Sequence, residues 1–261
     1  MKLKLAAHQI NFQSNKQQNL DKILCILEKT KTQLHVFPEY SMGTPPNGLT
    51  QSFVKKNAEQ LNGPFVSKIL EKSKEHHTAV VFTIFQSEKN QFFNTAILAE
   101  NGKIKATYKK IHLFDALGQK ESNLFSSGNK IAIAKIQNFT VGLAICFDLR
   151  FPELFRALAH KGAELFIVPS AWYTGKHKNE QWQILTKARA HENNAYLVGV
   201  NQTLPHFTGN SIINSPFATT IKQANTQETT LTAELDKKYV VDSKNQIPII
   251  KLSKPKLYKT L

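Results

Sequence analysis

The chain has 261 residues, of which 41% are hydrophobic and 20% are charged, and this composition excludes disordered, collagen-like and low-complexity proteins. The 34 Lys and Arg residues outnumber the 19 Asp and Glu residues and give a formal net charge of +15, a balance that invites a nucleic-acid interpretation. Only three of these cations are Arg and the lysines are scattered along the chain, whereas phosphate-binding surfaces favour clustered Arg, so we expect a solvated lysine-rich surface and no nucleic-acid partner.

Cysteine content and apolar runs predict the compartment. The two cysteines, Cys25 and Cys146, are too few for a disulfide framework, which favours a reducing cytoplasm. No apolar run approaches the roughly 20 residues that cross a bilayer. The N-terminal run 3–7 is interrupted by Lys4, unlike a signal peptide. We therefore expect a cytoplasmic protein with no membrane partner.

In the first half of the chain, hydrophobic periodicity predicts strands that alternate with helices. Strands are expected at 4–9, 34–37, 79–85, 92–99 and 103–108, and helices at 15–31 and 64–76. Pro64 suits the first position of a helix. Asn101-Gly102 predicts a two-residue hairpin turn between the last two strands.

The second half repeats this alternation. Strands are expected at 131–136, 141–146, 165–168 and 196–201, helices at 152–161 and 179–193, further strands within 211–236, and an extended tail from about 246. No repeat or flexible linker divides the chain, so we expect a single domain over 1–261. Strands separated by helices predict an α/β class with a layered sandwich architecture.

Cys146 lies where an apolar strand ends, shortly before Pro152 opens a helix. A strand-to-helix turn exposes a side chain at the edge of a sheet and directs backbone N–H groups toward whatever binds there. This position is typical of a nucleophile, although a buried packing residue is the competing interpretation of a free cysteine. Cys25 lies within an amphipathic helix, where the packing interpretation is favoured.

A cysteine nucleophile needs charged neighbours, because an unperturbed thiol is mostly protonated near neutral pH. Glu39 directly follows a predicted strand, and Lys110 follows another. A carboxylate can take the thiol proton, and an ammonium can stabilise a developing oxyanion. The chain contains no Gly-rich phosphate loop, no Cys-x-x-Cys pair and no His-Glu-x-x-His motif, so we expect neither a cofactor nor a metal.

Three segments resemble the signature blocks of the nitrilase, or carbon–nitrogen hydrolase, superfamily, in the family's order and spacing. They are residues 37–39 (FPE), 109–114 (KKIHLF) and 146–153 (CFDLRFPE), and the similarity extends to 188–193 and to the tail at 254–258. The resemblance therefore covers nearly the whole chain. It implies a four-layer αββα sandwich that forms a homodimer or a larger homo-oligomer.

The resemblance also implies roles for three reactive residues. Glu39 would be the general base, Lys110 would stabilise the oxyanion and Cys146 would be the nucleophile. A second family glutamate best matches Glu121, which would position the lysine and the substrate. The expected reaction converts an amide to a carboxylic acid and ammonia through a thioester.

Several further positions are implied to support this site. The backbone N–H of Phe147 would complete the oxyanion hole, and Arg150 and Glu153 would support the turn that carries the cysteine. Asn94 would be structural. Residues 169–175 (PSAWYTG) resemble the omega-amidase and deaminated-glutathione-amidase branch, whose substrates are small acidic omega-amides, and they make Trp172 and Tyr173 candidates for the substrate pocket.

Two residues depart from the family pattern. Ala218 stands where a Gly is usual, and His191 stands where an apolar residue is common. A histidine there suggests a Cys–His hydrolase that pairs Cys146 with His191 or His112. The family resemblance is also compatible with hydrolysis of N-carbamoyl amino acids, aliphatic amides or nitriles, and the basic charge is compatible with an idle scaffold.

Overall fold

Two six-stranded mixed sheets are flanked by helices in the computed structural model, which describes residues 2–258. This arrangement confirms the predicted α/β class and αββα sandwich. In chain order the elements are β1 (Lys2–Gln9), α1 (Lys16–Lys29), β2 (Leu34–Val36), α2 (Gln51–Asn57), α3 (Pro64–Glu75), β3 (Ala79–Glu88), β4 (Gln91–Glu100), β5 (Lys103–Lys109), β6 (Ala132–Ile136), β7 (Phe139–Leu143), α4 (Pro152–His160), β8 (Leu165–Ser170), α5 (Lys178–His191), β9 (Tyr196–Asn201), β10 (Ile212–Asn214), β11 (Thr220–Gln223), β12 (Thr229–Asp236), α6 (Lys237–Gln246) and α7 (Ile249–Leu252).

The two sheets have matching topologies. The first has the strand order β12-β1-β2-β3-β4-β5, and the second has the order β11-β10-β9-β8-β7-β6. In each, three parallel strands form the centre, β1-β2-β3 in one and β7-β8-β9 in the other, and antiparallel strands flank them. Helices connect the parallel strands, as this geometry requires.

Alternation along the strands builds the core, because successive side chains point to opposite faces of a sheet. In β3, Val81 belongs to the cluster that holds both sheets together, whereas Val80 and Phe82 belong to the cluster that includes α1 and α3. On the other sheet, Gly199 lets Trp182 of α5 pack directly against β9, since a Cβ at this glycine would lie 2.8 Å from the indole ring. This close packing fixes the position of α5.

Two buried histidines face each other on neighbouring strands of the first sheet. His8 Nε2 and His35 Nδ1 are 3.0 Å apart, and His8 Nδ1 lies 3.0 Å from Thr230 Oγ1. Burial lowers the pKa of His8 to about 3 and the pKa of His35 to about 4. Both rings are therefore neutral at pH 7.

The C-terminal region differs from the sequence expectation. The tail expected to be extended from about 246 instead forms α7 and a 3-10 helix at Pro255–Tyr258, and α6 precedes them. The two prolines of the tail do not keep it extended, because Pro248 and Pro255 precede or open helical turns, where proline is tolerated. Helix α6 has few apolar residues and is capped by Asp236, which accepts a hydrogen bond from Lys238 N. Helix α2 was not predicted either.

Ala218 has a φ of +60°, in the left-handed region that favours glycine. It lies in the turn between β10 and β11, where Ala218 N donates to Ser215 O at 3.1 Å. The turn is thus retained although alanine stands where the family usually has glycine. Within residues 2–258, no helix combines the length and apolar character needed to cross a bilayer.

Candidate active site

Residues that follow strands β2, β5 and β7 meet at one edge of the sandwich, as expected where carboxyl ends of parallel strands converge. Glu39, from the segment after β2, is only 1% exposed. Its Oε1 accepts from Lys110 Nζ at 2.9 Å and from Asn94 Nδ2 at 2.8 Å, and its Oε2 accepts from Ala171 N at 2.8 Å. These three donors fix the carboxylate in one orientation.

Lys110 lies between two carboxylates. Besides Glu39, its Nζ contacts Glu121 Oε2 at 2.8 Å and Oε1 at 3.1 Å, and all three side chains are buried. Glu121 is held in turn by Tyr40 Oη, which donates to Oε1 at 3.2 Å, and by Phe114 N, which donates to Oε2 at 2.7 Å. The structure thus brings Glu121 to the lysine, where the sequence placed it.

Asn94 takes part directly in this cluster, although only a structural role was expected for it. Its Nδ2 donates to Glu39 Oε1 at 2.8 Å and to Glu121 Oε1 at 3.1 Å. One amide group therefore bridges the two carboxylates that Lys110 also bridges. Because Asn94 lies in β4, it ties both carboxylates to the first sheet.

Cys146 lies at the turn between the second sheet and α4. After β7, Ala144 N still donates to Ile167 O of β8 at 3.1 Å, and a 3-10 helix then spans Cys146–Arg150. Cys146 itself has a φ of +46°, which costs a non-glycine residue about 1–2 kcal/mol. Backbone strain of this kind is typical of functional turns.

The same turn exposes backbone donors. Its first hydrogen bond is donated by Asp148 N to Ile145 O at 3.0 Å. The N–H groups in the first turn of a helix have no partner within the helix. The N–H of Phe147, one residue before Asp148, is one of these groups.

Asp148 joins the cysteine turn to the lysine segment. Its Oδ2 accepts from Ile145 N and from Tyr108 Oη, each at 2.8 Å. Its Oδ1 lies 2.7 Å from His112 Nδ1 and accepts from His112 N at 3.2 Å. One buried carboxylate thus binds residues on both sides of Lys110 and the residue before Cys146.

The electrostatics of the site favour a neutral thiol at rest. Burial raises the pKa of Cys146 well above its usual range and Glu39 raises it further, while Lys110 opposes the rise. Burial also raises the pKa of Glu39, and Lys110 opposes that rise too. Burial alone would lower the pKa of Lys110, but Glu121 and Glu39 outweigh it and hold this pKa well above its usual range. The lysine therefore stays charged, and the cysteine needs a base in order to react.

A cavity of about 320 Å³ opens onto these groups. Its walls combine the three reactive side chains, an aromatic wall and two further cations: Glu39, Lys110, Cys146, Tyr40, Phe114, Phe147, Trp172, Tyr173, Ala171, Arg150 and Lys178. Trp172 and Tyr173 line the cavity, as the sequence predicts. The sequence did not single out Tyr40, Phe114 or Lys178, although the first two adjoin or belong to the family blocks.

Arg150 and Glu153, which were expected to support the cysteine turn, have other surroundings in the structure. Arg150 lines the cavity, with its Cζ 4.8 Å from the centroid of the Trp172 ring, and its Nη2 donates to Gln181 Oε1 at 2.8 Å. Glu153 is exposed in the first turn of α4. No hydrogen bond or ion pair joins its carboxylate to another residue in the range 2–258. Its charge faces the positive end of the helix instead, so Glu153 supports α4 and does not contact the turn.

Neither histidine of the alternative Cys–His pairing lines the cavity. His191 Nδ1 is 3.0 Å from Pro216 O, and His112 is held by Asp148 and stacks on Phe151 with ring centroids 3.7 Å apart. One cluster with metal-ligand chemistry, Glu28, Glu75 and His76, lies on the surface. There the Lys72 ammonium contacts both carboxylates and offsets part of their negative charge.

Comparison with known proteins places these residues in a family context. A family model described as carbon–nitrogen hydrolase matches residues 4–245. The deaminated glutathione amidase of Escherichia coli O157:H7 is 34% identical over 197 residues, which cover 75% of each protein. An omega-amidase of Danio rerio is 28% identical over 274 residues, which cover 98% of this chain and 96% of the relative.

The fold has similar solved counterparts. A member of branch 10 of the nitrilase superfamily from Saccharomyces cerevisiae matches with a TM-score of 0.83 and 26% identity, over 98% of this chain and 96% of the other. The matched range of the family model includes all three segments in which the sequence resembles the family. The resemblance is therefore confirmed.

Proposed function

The chain belongs to the carbon–nitrogen hydrolase family and is a hydrolase of amide bonds, and from this premise we propose that it converts a small acidic omega-amide to a carboxylic acid and ammonia. The observation that carries the proposal is the meeting of Glu39, Lys110 and Cys146 in one cavity. Relatives named as deaminated glutathione amidase and omega-amidase support the choice of an acidic amide.

The first half of the proposed reaction forms a thioester. Glu39 takes the proton of Cys146, and Sγ attacks the amide carbonyl carbon. A carboxylate whose pKa is raised by burial is a stronger base than an exposed one, so the site suits this transfer. Lys110 Nζ and the N–H of Phe147 stabilise the oxyanion of the tetrahedral intermediate. When the intermediate collapses, the C–N bond breaks and Glu39 gives its proton to the departing ammonia.

The second half restores the thiol. Glu39, again ionised, takes a proton from water as the water oxygen attacks the thioester carbonyl. The same two donors stabilise the second oxyanion. The C–S bond then breaks, the proton held by Glu39 returns to Sγ and the carboxylic acid leaves. Dividing one difficult step into two easier ones is the advantage of a covalent route.

Arg150 supports an acidic substrate. Its guanidinium lines the cavity, and it forms no ion pair with a carboxylate of residues 2–258. A planar guanidinium is well suited to bind a carboxylate through two hydrogen bonds. We therefore assign to Arg150 the binding of the substrate carboxylate, at the end of the substrate opposite the amide.

The proposal includes a homodimer in a reducing cytoplasm, and it includes neither a cofactor nor a nucleic-acid or membrane partner. The apolar residues Leu154, Phe155 and Leu158 of α4, candidates for core or interface, are buried within the chain. These three side chains thus belong to the core, and Val241, Ile247 and Leu252 near the C-terminus are exposed apolar candidates for a dimer interface.

A panel of small amides and nitriles, assayed for ammonia release, tests the function. We expect turnover of omega-amides of dicarboxylic acids, together with an acyl adduct on Cys146 detected by intact-mass analysis. Glu39→Gln should lower kcat by about 10³-fold, because it removes the base of both steps, whereas His191→Ala should retain activity. An inactive His191→Ala with an active Glu39→Gln would establish the Cys–His alternative. No turnover and no adduct with any compound would favour the idle scaffold.

A further inference from the structure

Lys178 is a buried lysine whose ammonium has no carboxylate partner within residues 2–258. The residue is 8% exposed and its side chain lines the cavity at the start of α5. Its Nζ lies 5.5 Å from the centroid of Trp172 and 5.6 Å from that of Phe114. Two aromatic faces thus take the place of an anion, and they stabilise a cation far less than a carboxylate does.

An ammonium in such surroundings is costly for the folded protein. Burying a charge is unfavourable unless the charge is paired and hydrogen-bonded. Burial lowers the pKa of Lys178, and the positive charge of Arg150 lowers it further. The two cations are close together, since Arg150 Cζ lies 4.8 Å and Lys178 Nζ lies 5.5 Å from the centroid of the same Trp172 ring. A pair of neighbouring cations without an anion is an arrangement that a bound anion would relieve.

The two cations differ in how much of their binding capacity is used. Arg150 has one hydrogen bond, to Gln181, and the rest of its guanidinium is available to a carboxylate. Lys178 has no hydrogen bond from Nζ within residues 2–258. One carboxylate bound between Arg150 and Lys178 would bring a single negative charge to two positive charges. Neutralising both cations therefore calls for two negative charges.

We propose that Lys178 is a specificity-determining residue that binds a second carboxylate of the substrate, so the preferred substrate is an amide that carries two carboxylates. This inference rests on the proposed function, because it describes the substrate of the same cavity. The second carboxylate belongs either to the acyl part of the amide or to its departing amine. The proposal is the same for both, and the experiment separates them.

The experiment compares four amides that differ in carboxylate number and position. Butyramide has no carboxylate and succinamate has one. The monoamide of tricarballylic acid has two on the acyl part, and N-succinylglycine has the second on the departing amine. The value of kcat/KM is measured from the release of ammonia or glycine. The matched variants are Lys178→Met and Lys176→Met, since Lys176 is an exposed lysine in the same segment and does not line the cavity.

We expect the unaltered protein to prefer at least one amide with two carboxylates over succinamate. Lys178→Met should reduce that preference about 10- to 100-fold, as expected for the loss of a charge-assisted hydrogen bond. Lys176→Met should leave the preference as it is. Because the measured quantity is a ratio between substrates, partial misfolding of a variant does not change it. If Lys178→Met loses the preference for the monoamide of tricarballylic acid, Lys178 binds the acyl part of the substrate. If it loses the preference for N-succinylglycine, Lys178 binds the departing amine.

Two results would overturn the proposal. One is a Lys178→Met protein with an unchanged preference for two carboxylates. The second is a variant that instead loses the preference for succinamate over butyramide, which would place Lys178 on the carboxylate assigned to Arg150. Calorimetry can measure binding of the same amides to Cys146→Ala, with Lys178 retained or replaced by Met. This measurement separates the inference about Lys178 from the proposed function. Lys178-dependent binding without turnover by the unaltered protein would reject the proposed function and keep this inference.

Discussion

Two groups of charged side chains line the cavity and treat buried charge in opposite ways, and we call them its compensated end and its uncompensated end. At the compensated end Lys110 lies between Glu39 and Glu121, with contacts of 2.9 and 2.8 Å, and Asn94 bridges the same carboxylates. At the uncompensated end Arg150 and Lys178 lie over Trp172, and neither has a carboxylate partner in the described chain. The first group is compensated by the protein itself, and the second is compensated only when an anion binds.

In the proposed reaction, this difference separates residues that carry out chemistry from residues that select a substrate. A catalytic group must hold its geometry before the substrate arrives, so internal hydrogen bonds that fix it are an advantage. A group that recognises a charge gains affinity only if its charge is not already matched within the protein. Stability measurements can therefore distinguish the two ends without any knowledge of the substrate.

The largest expected effect is at the compensated end. Lys110→Met should lower kcat/KM about 10³-fold, since it removes an oxyanion donor. It should also lower the free energy of unfolding by about 3–5 kcal/mol, because two buried carboxylates would be left without their cation. Urea denaturation and the amide assay measure the two effects.

Lys109→Met is the matched control for that variant. Lys109 adjoins Lys110 in the chain, but its Nζ pairs with Glu88 at 2.9 Å in a partly exposed position. A loss below about 1 kcal/mol is expected for it. Equal stability losses for the two variants would contradict the comparison between the two ends.

Acid should inactivate the compensated end through Glu39. Because burial raises the pKa of Glu39 above its ordinary value of 4.5 and the base must be ionised, the acid limb of kcat/KM should lie above pH 4.5. Below the limb, kcat/KM should fall about tenfold per pH unit. Thermal melts over the same range separate this effect from unfolding. A limb at or below pH 4.5 would mean that Lys110 dominates over burial.

Acid should also create an uncompensated charge elsewhere, in the neutral pair His8 and His35. Since the pKa of His8 is lowered from 6.5 to about 3, the unfolded chain binds a proton that the folded chain does not. The corresponding stability is complete above pH 6.5 and is lost as the pH falls toward 3. At pH 5 the loss is about 2 kcal/mol for His8.

Denaturation at pH 7 and pH 5 measures this loss, and His8→Gln should reduce the difference between the two values. His177→Gln, at an exposed residue before α5, serves as the control and should leave the difference as it is. A difference that His8→Gln does not alter would mean that groups elsewhere in the protein cause the acid sensitivity.

The smallest expected effect has the opposite sign and lies at the uncompensated end. In the absence of substrate, Lys178→Met should raise the free energy of unfolding by about 1 kcal/mol, since it removes a buried charge that no described protein group matches. Lys176→Met should change it by less than about 0.5 kcal/mol. A clear loss of stability in Lys178→Met would show that the lysine has a structural partner.

The sequence predicts the compensated end well, because strand periodicity and the family blocks both point to it. Glu39, Lys110 and Cys146 each follow a strand, and strand ends converge in a sandwich of this kind. Glu121 contacts Lys110 at 2.8 Å, and its role as the second family glutamate stays a prediction. The bridging role of Asn94 was not predictable, since it depends on the distance between two carboxylates from different segments.

The uncompensated end could not be predicted from the sequence. Lys178 lies in the run Lys176-His177-Lys178, which in sequence is indistinguishable from a solvated surface. Tertiary contacts, among them the packing of Trp182 against Gly199 and the hydrogen bond from Trp172 Nε1 to Lys178 O at 3.1 Å, bring the start of α5 over the cavity and bury that side chain. Helix α6 escaped prediction for a related reason, because its stability comes from the Asp236 cap and a few contacts rather than from an apolar stripe.

Asp148 has a consequence for recombining this protein with its relatives. Lys110 belongs to one sheet and Cys146 to the other, yet a single carboxylate holds Tyr108, His112 and Ile145 together. A chimaera with a crossover point between these segments would pair a lysine segment from one parent with a cysteine turn from another. The segments 108–112 and 145–148 should therefore come from the same parent, so crossover points are best placed before residue 108 or after residue 148.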